Sequence, residues 1–313
     1  MQNRAINNIL LLITAFIWGA GFVAQRAGMD FIEPYTFNCV RSYLGAFSLL
    51  ILIAIFKIKK GPNRKMNKWE ERRYMFKAGI ICGLALFFAS SVQQVGMVYT
   101  TASKAGFISS MYIIIVPLIA VFLGRKFPKN LWFGVLLGAI GLYFLCGSNG
   151  LSHIGKGDIY IMISAILYSV HILTIDHFAP KVDSVKLSCV QFFVVGIIGL
   201  IPVYFLENPT WEGILACRWA LLFAGVVSCG IAYTLQIIAQ KNTNPALASL
   251  ILSFESVFAV LTGYLILNET LTYKEILGCI LMFTAVLAAQ YRGKAAKESS
   301  LENSPDIPSS KCC

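Results

Sequence analysis

A single carboxylate, Glu255, sits in the middle of the apolar stretch 245–268, PALASLILSFESVFAVLTGYLILN. At about 1.5 Å per helical residue it lies roughly 15 Å in from Pro245, half of a ~30 Å hydrocarbon core. A carboxylate at that depth is costly unless it faces other helices or a wet cavity, which makes it a functional candidate by default. Ser249, Ser253, Ser256, Val260 and Gly263 run beside it at helical spacing, and Ser253 joins the candidate site. Tyr112 reaches the same level in the stretch 102–124, and Trp18 lies near mid-membrane in the first apolar run. Arg41 falls about 10 Å inside one surface, where its stem either reaches headgroups or serves a site. His171 lies close to the midplane, and an imidazole there binds substrate or relays protons; a hydrogen-bonded core histidine is the equal alternative. Gln93 and Gln236 complete the set, on opposite sides of the midplane. Arg41, His171 and Glu255 together offer opposite charges to a zwitterion, with amides and hydroxyls to orient it.

Other chemistries find no support. HExxH, GxSxG, paired carboxylates and a P-loop are absent from the sequence, so neither an intramembrane enzyme nor direct use of ATP is indicated. No catalytic residue, metal site or cofactor is expected; coupling to a proton or ion gradient stays open. The nine cysteines include no pair at metal-ligand spacing. Cys312–Cys313 reads as a solvated tail pair, since the prenylation pattern is missing.

The elements that must position these groups are membrane spans. Hydrophobic residues make up 57% of the chain and charged residues 13%, against roughly 25% charged for a soluble domain. The apolar residues fall into ten runs, 8–28, 35–56, 78–99, 102–124, 131–147, 158–178, 185–206, 217–240, 245–268 and 272–291. The first is too long for a cleavable signal peptide and is followed by further spans. The expected fold is therefore all-α, a ten-helix integral membrane protein, followed by a disordered polar tail over 293–313. With the N-terminus cytoplasmic, twenty of the 26 Lys and Arg residues fall on the inside, nine of them in the loop 57–77. That bias places both termini in the cytoplasm of a cell whose cytoplasmic membrane the chain crosses. The +11 charge is thereby a topology signal that also suits anionic lipid, and nucleic acid is not an expected partner.

Smaller features follow along the chain. Arg26 snorkels to the interface, and Asp176, His177 and Lys181 are read as solvated. Pro117 weakens the backbone ladder of the fourth span. Gly134, Gly138 and Gly141 in the fifth span have the spacing of a close helix contact, whose mate is either in the same chain or in a second copy. A homodimer through the fifth or tenth span is therefore an open expectation.

The chain also reads as a duplication. A shift of 150 residues brings Ala15 onto Ala165 and Cys39–Val40–Arg41 onto Cys189–Val190–Gln191. A shift of 144 aligns 102–141 with 246–285, with six of forty residues identical, about what apolar composition gives by chance. Order is the stronger sign: five spans over 1–147, a short Gly-rich external linker at 148–157, and five more over 158–292. Five is odd, so the second set enters from the opposite side, an inverted repeat with its site near the midplane.

In this order the chain resembles the EamA-type members of the drug/metabolite transporter superfamily. The resemblance rests on IWGAGFVAQRAG, CVRSYLGAF, YTTASKAGFISSMYIIIVPLIAVFLGRKF and LASLILSFESVFAVLTGYLILNETLTYKEILGCILMFTAVLAA. It implies a ten-helix, two-repeat fold that moves small metabolites, often outward, by alternating access. It also implies a central cavity lined by spans 1, 3, 4, 6, 8 and 9, with spans 5 and 10 peripheral. Ser256 stands where the family often has proline, and Arg125–Lys126 where an acidic residue is common. The expected function is secondary transport of a small polar metabolite, plausibly an amino acid; export of amphipathic or cationic compounds, bound by Glu255 beside Trp18 and Tyr112, is the alternative. A channel or receptor is the remaining non-transport reading.

Overall fold

A computed structural model describes residues 2–56, 68–144, 155–267 and 273–290. The loop 57–67, most of the linker and the tail 293–313 with Cys312 and Cys313 lie outside the described residues. Among those described, all regular structure is helical: α1 (Gln2–Gly28), α2 (Pro34–Phe56), α3 (Lys68–Val98), α4 (Ala102–Ser109), α5 (Tyr112–Phe122), α6 (Lys129–Leu142) and α7 (Lys156–Phe178). There follow α8 (Ser184–Leu206), α9 (Trp211–Ala216) and α10 (Arg218–Leu222), which continues through a π-helical segment, Phe223–Ala232, into α11 (Tyr233–Gln240). The chain then forms α12 (Pro245–Leu252), α13 (Glu255–Leu267) and α14 (Tyr273–Gln290).

Among the described residues, eight spans are long and apolar enough to cross a membrane. At the fifth and tenth runs the described helices are α6 and α14, about 21 and 27 Å long against a ~30 Å core, and each adjoins residues outside the described ones. The run 102–124 is two helices, α4 and α5, and the run 245–268 is also two, α12 and α13. Neither break falls at a proline, so Pro117 is not the cause: the first is at Ser110–Met111, the second at Ser253–Phe254. In each, an eight-residue half-helix ends at a serine-led break. Aligning the breaks takes a shift of 143, which brings Ser110 onto Ser253 and Tyr112 onto Glu255.

The helices pair as α3 with α7, α2 with α8, α6 with α14, α1 with α13, α3 with α8, and α2 with the π-helical segment. Exchanging the two halves turns each pairing into itself or into another that is also present. Burial repeats in the same way. Residues 41–50 and 191–200 are buried, half-buried or exposed identically at every position, although only Leu50 and Leu200 are the same residue. Between 21–30 and 171–180 only Met29 and Ala179 differ in burial, with no residue in common.

Gly134, Gly138 and Gly141 settle against helices of the same chain. A Cβ on Gly134 would lie 2.8 Å from the Ala285 carbonyl and one on Gly141 2.9 Å from the Met282 nitrogen, both on α14. Small residues here let two backbones touch.

Polar groups close the helices at two faces, named here for their aspartates. On the Asp158 face, Asp158 accepts from Lys104 Nζ at 2.6 Å, Thr100 Oγ1 at 3.0 Å and the Gly155 amide at 2.8 Å. Glu207, at the end of α8, caps α2 from a distance, accepting from the Tyr35 amide at 2.7 Å and from the Thr36 amide and hydroxyl at 2.6 and 2.7 Å. Burial pushes the Glu207 carboxyl above the usual range, while these donors pull it back. Arg26 pairs with Asp30 at 2.8 Å, with both side chains exposed. On the Asp176 face, Asp176 pairs with Arg125 and is largely buried, so the expectation of a solvated Asp176 is corrected. Lys241 donates to the Val182 carbonyl at 2.8 Å, and burial lowers its pKa against the pull of Asp183.

Candidate functional site

The two breaks face each other in the centre of the bundle. Ser110 Oγ lies 3.4 Å from the Ser253 carbonyl and 3.5 Å from Glu255 Oε1. Glu255 is therefore not inside a continuous helix, as expected from the sequence, but in the first turn of a half-helix. That position suits a carboxylate, since the free N–H groups of a helix start favour negative charge. Opposite it, Tyr112 opens α5; its hydroxyl lies beside Glu255 but is not in hydrogen-bonding geometry with it.

A cavity surrounds this point. It brings together Trp18, Arg41, Gln93, Tyr112, His171, Gln236 and Glu255 from seven different helical elements. Its free volume is about 30 Å³, enough for a water or two and too little for a metabolite. Ser253 does not reach the cavity. Its hydroxyl donates to the Leu250 carbonyl at 2.8 Å, and Ser249 and Ser256 likewise bond carbonyls three residues back. The hydroxyl seam read from the sequence is thus spent inside its own helix, a common fate of buried helical serine.

Arg41 is 5% exposed, with no carboxylate partner among the described residues. Its Nε donates to Asn38 Oδ1 at 3.0 Å and its Nη1 to Gln25 Oε1 at 2.7 Å, with the guanidinium 5.9 Å from the Phe37 ring centroid. Asn38 is in turn fixed by donating to Ser90 Oγ at 3.1 Å and Ser91 Oγ at 3.0 Å. Held this way, the side chain is out of reach of headgroups and turned into the bundle. The cavity thus contains one cationic and one acidic group that do not pair with each other. At interior dielectric, such charges act strongly on whatever lies between them.

Tyr168, Tyr233, Gln25 and Ser228 also line the cavity and escaped the sequence reading. Tyr233 donates to the Tyr168 hydroxyl at 3.5 Å, Tyr168 to Gln93 Oε1 at 3.2 Å, and Gln93 Nε2 to Ser109 Oγ at 3.0 Å. This hydrogen-bonded chain crosses from the second half of the protein to the first. Trp18 packs at a tilt against Tyr233 with ring centroids 4.7 Å apart, and His171 Nε2 faces Gln191 Oε1 at 3.4 Å. Several cavity atoms have no partner among the described residues: Trp18 Nε1, the Tyr112 hydroxyl, His171 Nδ1 and both ends of the Gln236 amide. Each such buried group costs about 1–3 kcal/mol unless something else bonds it. Among the described residues no cluster of His, Cys, Asp or Glu could hold a metal.

Comparison with known proteins gives consistent matches. The model of the EamA-like transporter family matches twice, over residues 5–147 and 155–289. A protein of Archaeoglobus fulgidus named an uncharacterized transporter is 31% identical over 92% of this chain and 87% of its own. The uncharacterized inner membrane transporter YedA of Escherichia coli is 26% identical over 87% of this chain and 86% of its own. A chloroplastic WAT1-related protein of Arabidopsis thaliana is 22% identical over 90% of this chain and 69% of its own. One crystal structure superposes with a TM-score of 0.74 at 15% identity, covering 95% of this chain and 99% of the other, a likeness of fold.

Proposed function

The chain belongs to the EamA-like transporter family, and from that premise we propose that it is a secondary transporter of a small zwitterionic metabolite, an amino acid or related compound. Transport runs outward across the cytoplasmic membrane by alternating access. The observation that carries this reading is the unpaired coexistence of Arg41 and Glu255 in one buried cavity. A substrate carboxylate would complete Arg41 and its ammonium would meet Glu255, while Gln93, His171 and Gln236 orient it. The closed cavity fits an occluded stage, so the substrate enters only when one face parts.

The ten-span inverted repeat belongs to the same proposal. Its support is the double family match, the exchange of helix pairings between halves and the shared burial pattern. The excess of basic residues on that side supports a cytoplasmic Asp176 face and cytoplasmic termini. Labelling of Cys312 and Cys313 by an impermeant thiol reagent in intact cells would overturn that orientation.

A second reading, export of amphipathic cations, draws on the aromatic wall of Trp18, Tyr112, Tyr168 and Tyr233 beside Glu255. Transport in proteoliposomes separates the two. Amino acids and organic cations are offered with and without a proton gradient, to the parent, Glu255→Gln and Arg41→Gln. We expect Glu255→Gln to fold and to lose at least tenfold in amino-acid transport, or its pH dependence. Arg41→Gln should impair amino acids and spare organic cations. Parent-like rates and pH profile in Glu255→Gln would remove Glu255 from the site, and cation transport alone would favour the second reading.

A further inference from the structure

The polar groups between the cavity and the two faces are satisfied very differently. Towards the Asp158 face, the side chains around Arg41 bond one another: Asn38 to Ser90 and Ser91, Arg41 to Gln25, Ser42 to the Asn38 carbonyl, with Gln94 Oε1 the orphan beside them. Towards the Asp176 face the corresponding groups find no partner among the described residues. Ser184 Oγ, Ser188 Oγ, Gln191 Nε2, His171 Nδ1 and both amide ends of Gln236 and Gln240 are buried and orphaned. None of these residues is more than 5% exposed. Together their cost would rival the whole net stability of a domain.

These residues form a seam. Ser184, Ser188 and Gln191 lie on one stripe of α8, and Gln236 and Gln240 are one turn apart on α11. The two helices touch on both sides of those stripes. Phe192 meets Tyr233 with ring centroids 5.2 Å apart, and Leu187 and Ile237 share one hydrophobic cluster. Lys241, bonded to Val182, closes the pair at the surface. From Ser184 to Gln191 the seam is about 10 Å long and ends where Gln191 faces His171.

We infer that this seam binds a file of water joining the Asp176 face to the central cavity. The donor set selects water over an ion. Two of the glutamines are orphaned at nitrogen and oxygen alike and the serines both donate and accept, whereas no carboxylate lies on either stripe. A cation would satisfy only the oxygens and an anion only the nitrogens; water satisfies both. The cavity is thereby hydrated from one face, while the Arg41 network keeps the other side dry.

The test uses protein in lipid nanodiscs, where both faces are reachable and neither orientation nor substrate matters. Ser188→Cys should react with a small hydrophilic methanethiosulfonate at least tenfold faster than Ser91→Cys, each read above the labelling of the parent. Adding Gln240→Leu, which puts an apolar side chain in the seam, should slow that reaction several-fold. Equal rates in two folded cysteine variants, or a Gln240→Leu protein that melts higher with labelling unchanged, would overturn the inference. Should Ser188→Cys not fold, X-ray hydroxyl-radical footprinting of the parent decides, because bound water is the radical source. His171 and Phe192 should then be modified well above the fully buried Phe37, and parity with Phe37 would reject the water file.

Discussion

The two broken helices share a length, a break and a place at the cavity, yet they are held by opposite means. α4–α5 is fastened to α7 at both faces, by Lys104–Asp158 and Arg125–Asp176. α12–α13 carries no basic residue, and its one acid is Glu255. It is held by close packing instead: 83% of the window Pro245–Thr262 is buried against 61% of the window over Ala102–Phe122. α1 approaches so near that a Cβ on Gly19 would lie 2.6 Å from the Glu255 carbonyl oxygen and from Phe258 Cβ. Charged contacts at a water boundary are exchangeable and screened by salt, whereas backbone contact has no substitute. The first broken helix is thus adjustable at its ends, and the second is fixed at the residue that carries the acid.

Four substitutions press on that difference. The largest effect should come from Gly19→Ala, whose methyl group meets backbone on α13 and should cost about 3 kcal/mol or more. A melting temperature close to that of the parent would mean that α1 and α13 are not locked there. Asp158→Asn comes next, because it loosens three bonds at a largely buried acid; a loss of about 1–2 kcal/mol is expected. Asp176→Asn should cost less, about 0.5–1 kcal/mol, since Arg125 is 42% exposed, and the cost should shrink in high salt. An effect equal to that of Gly19→Ala would erase the contrast between fastening and packing. Smallest of all should be Gly106→Ala on α4. Its Cβ would sit 3.3 Å from Ala259 Cβ, a contact that a slight shift relieves, so thermal melts within about 1 kcal/mol of the parent are expected.

The spans and most of the cavity were legible in the sequence because apolar length and isolated polar residues are local signals. Glu255, His171, Arg41 and Gln236 stand out against hydrocarbon wherever the helices go. The breaks were not legible, since Ser253–Phe254 has neither proline nor glycine and nothing local to interrupt a helix. Tyr168 and Tyr233 read as ordinary apolar bulk, and only packing turns their hydroxyls into a chain across the cavity. Gln25 escaped notice because the depth of a residue near the end of the first run depends on how far α1 continues. Asn38 had a usable sign, three residues before Arg41 on the same face, but its meaning depends on Ser90 and Ser91 of another helix.

The matched burial of 41–50 and 191–200 has a consequence for experiment. One residue in common leaves sequence comparison almost nothing to work with, yet each position meets the same degree of enclosure as its counterpart. Tolerance to substitution follows enclosure more closely than identity. A saturation scan of this one gene would therefore contain its own replicate: the profile measured along α2 should forecast the profile along α8. Where the two disagree, the cause is the particular neighbour and not the depth, so the discordant pairs, Arg41 with Gln191 first among them, would sort function from architecture without a second protein.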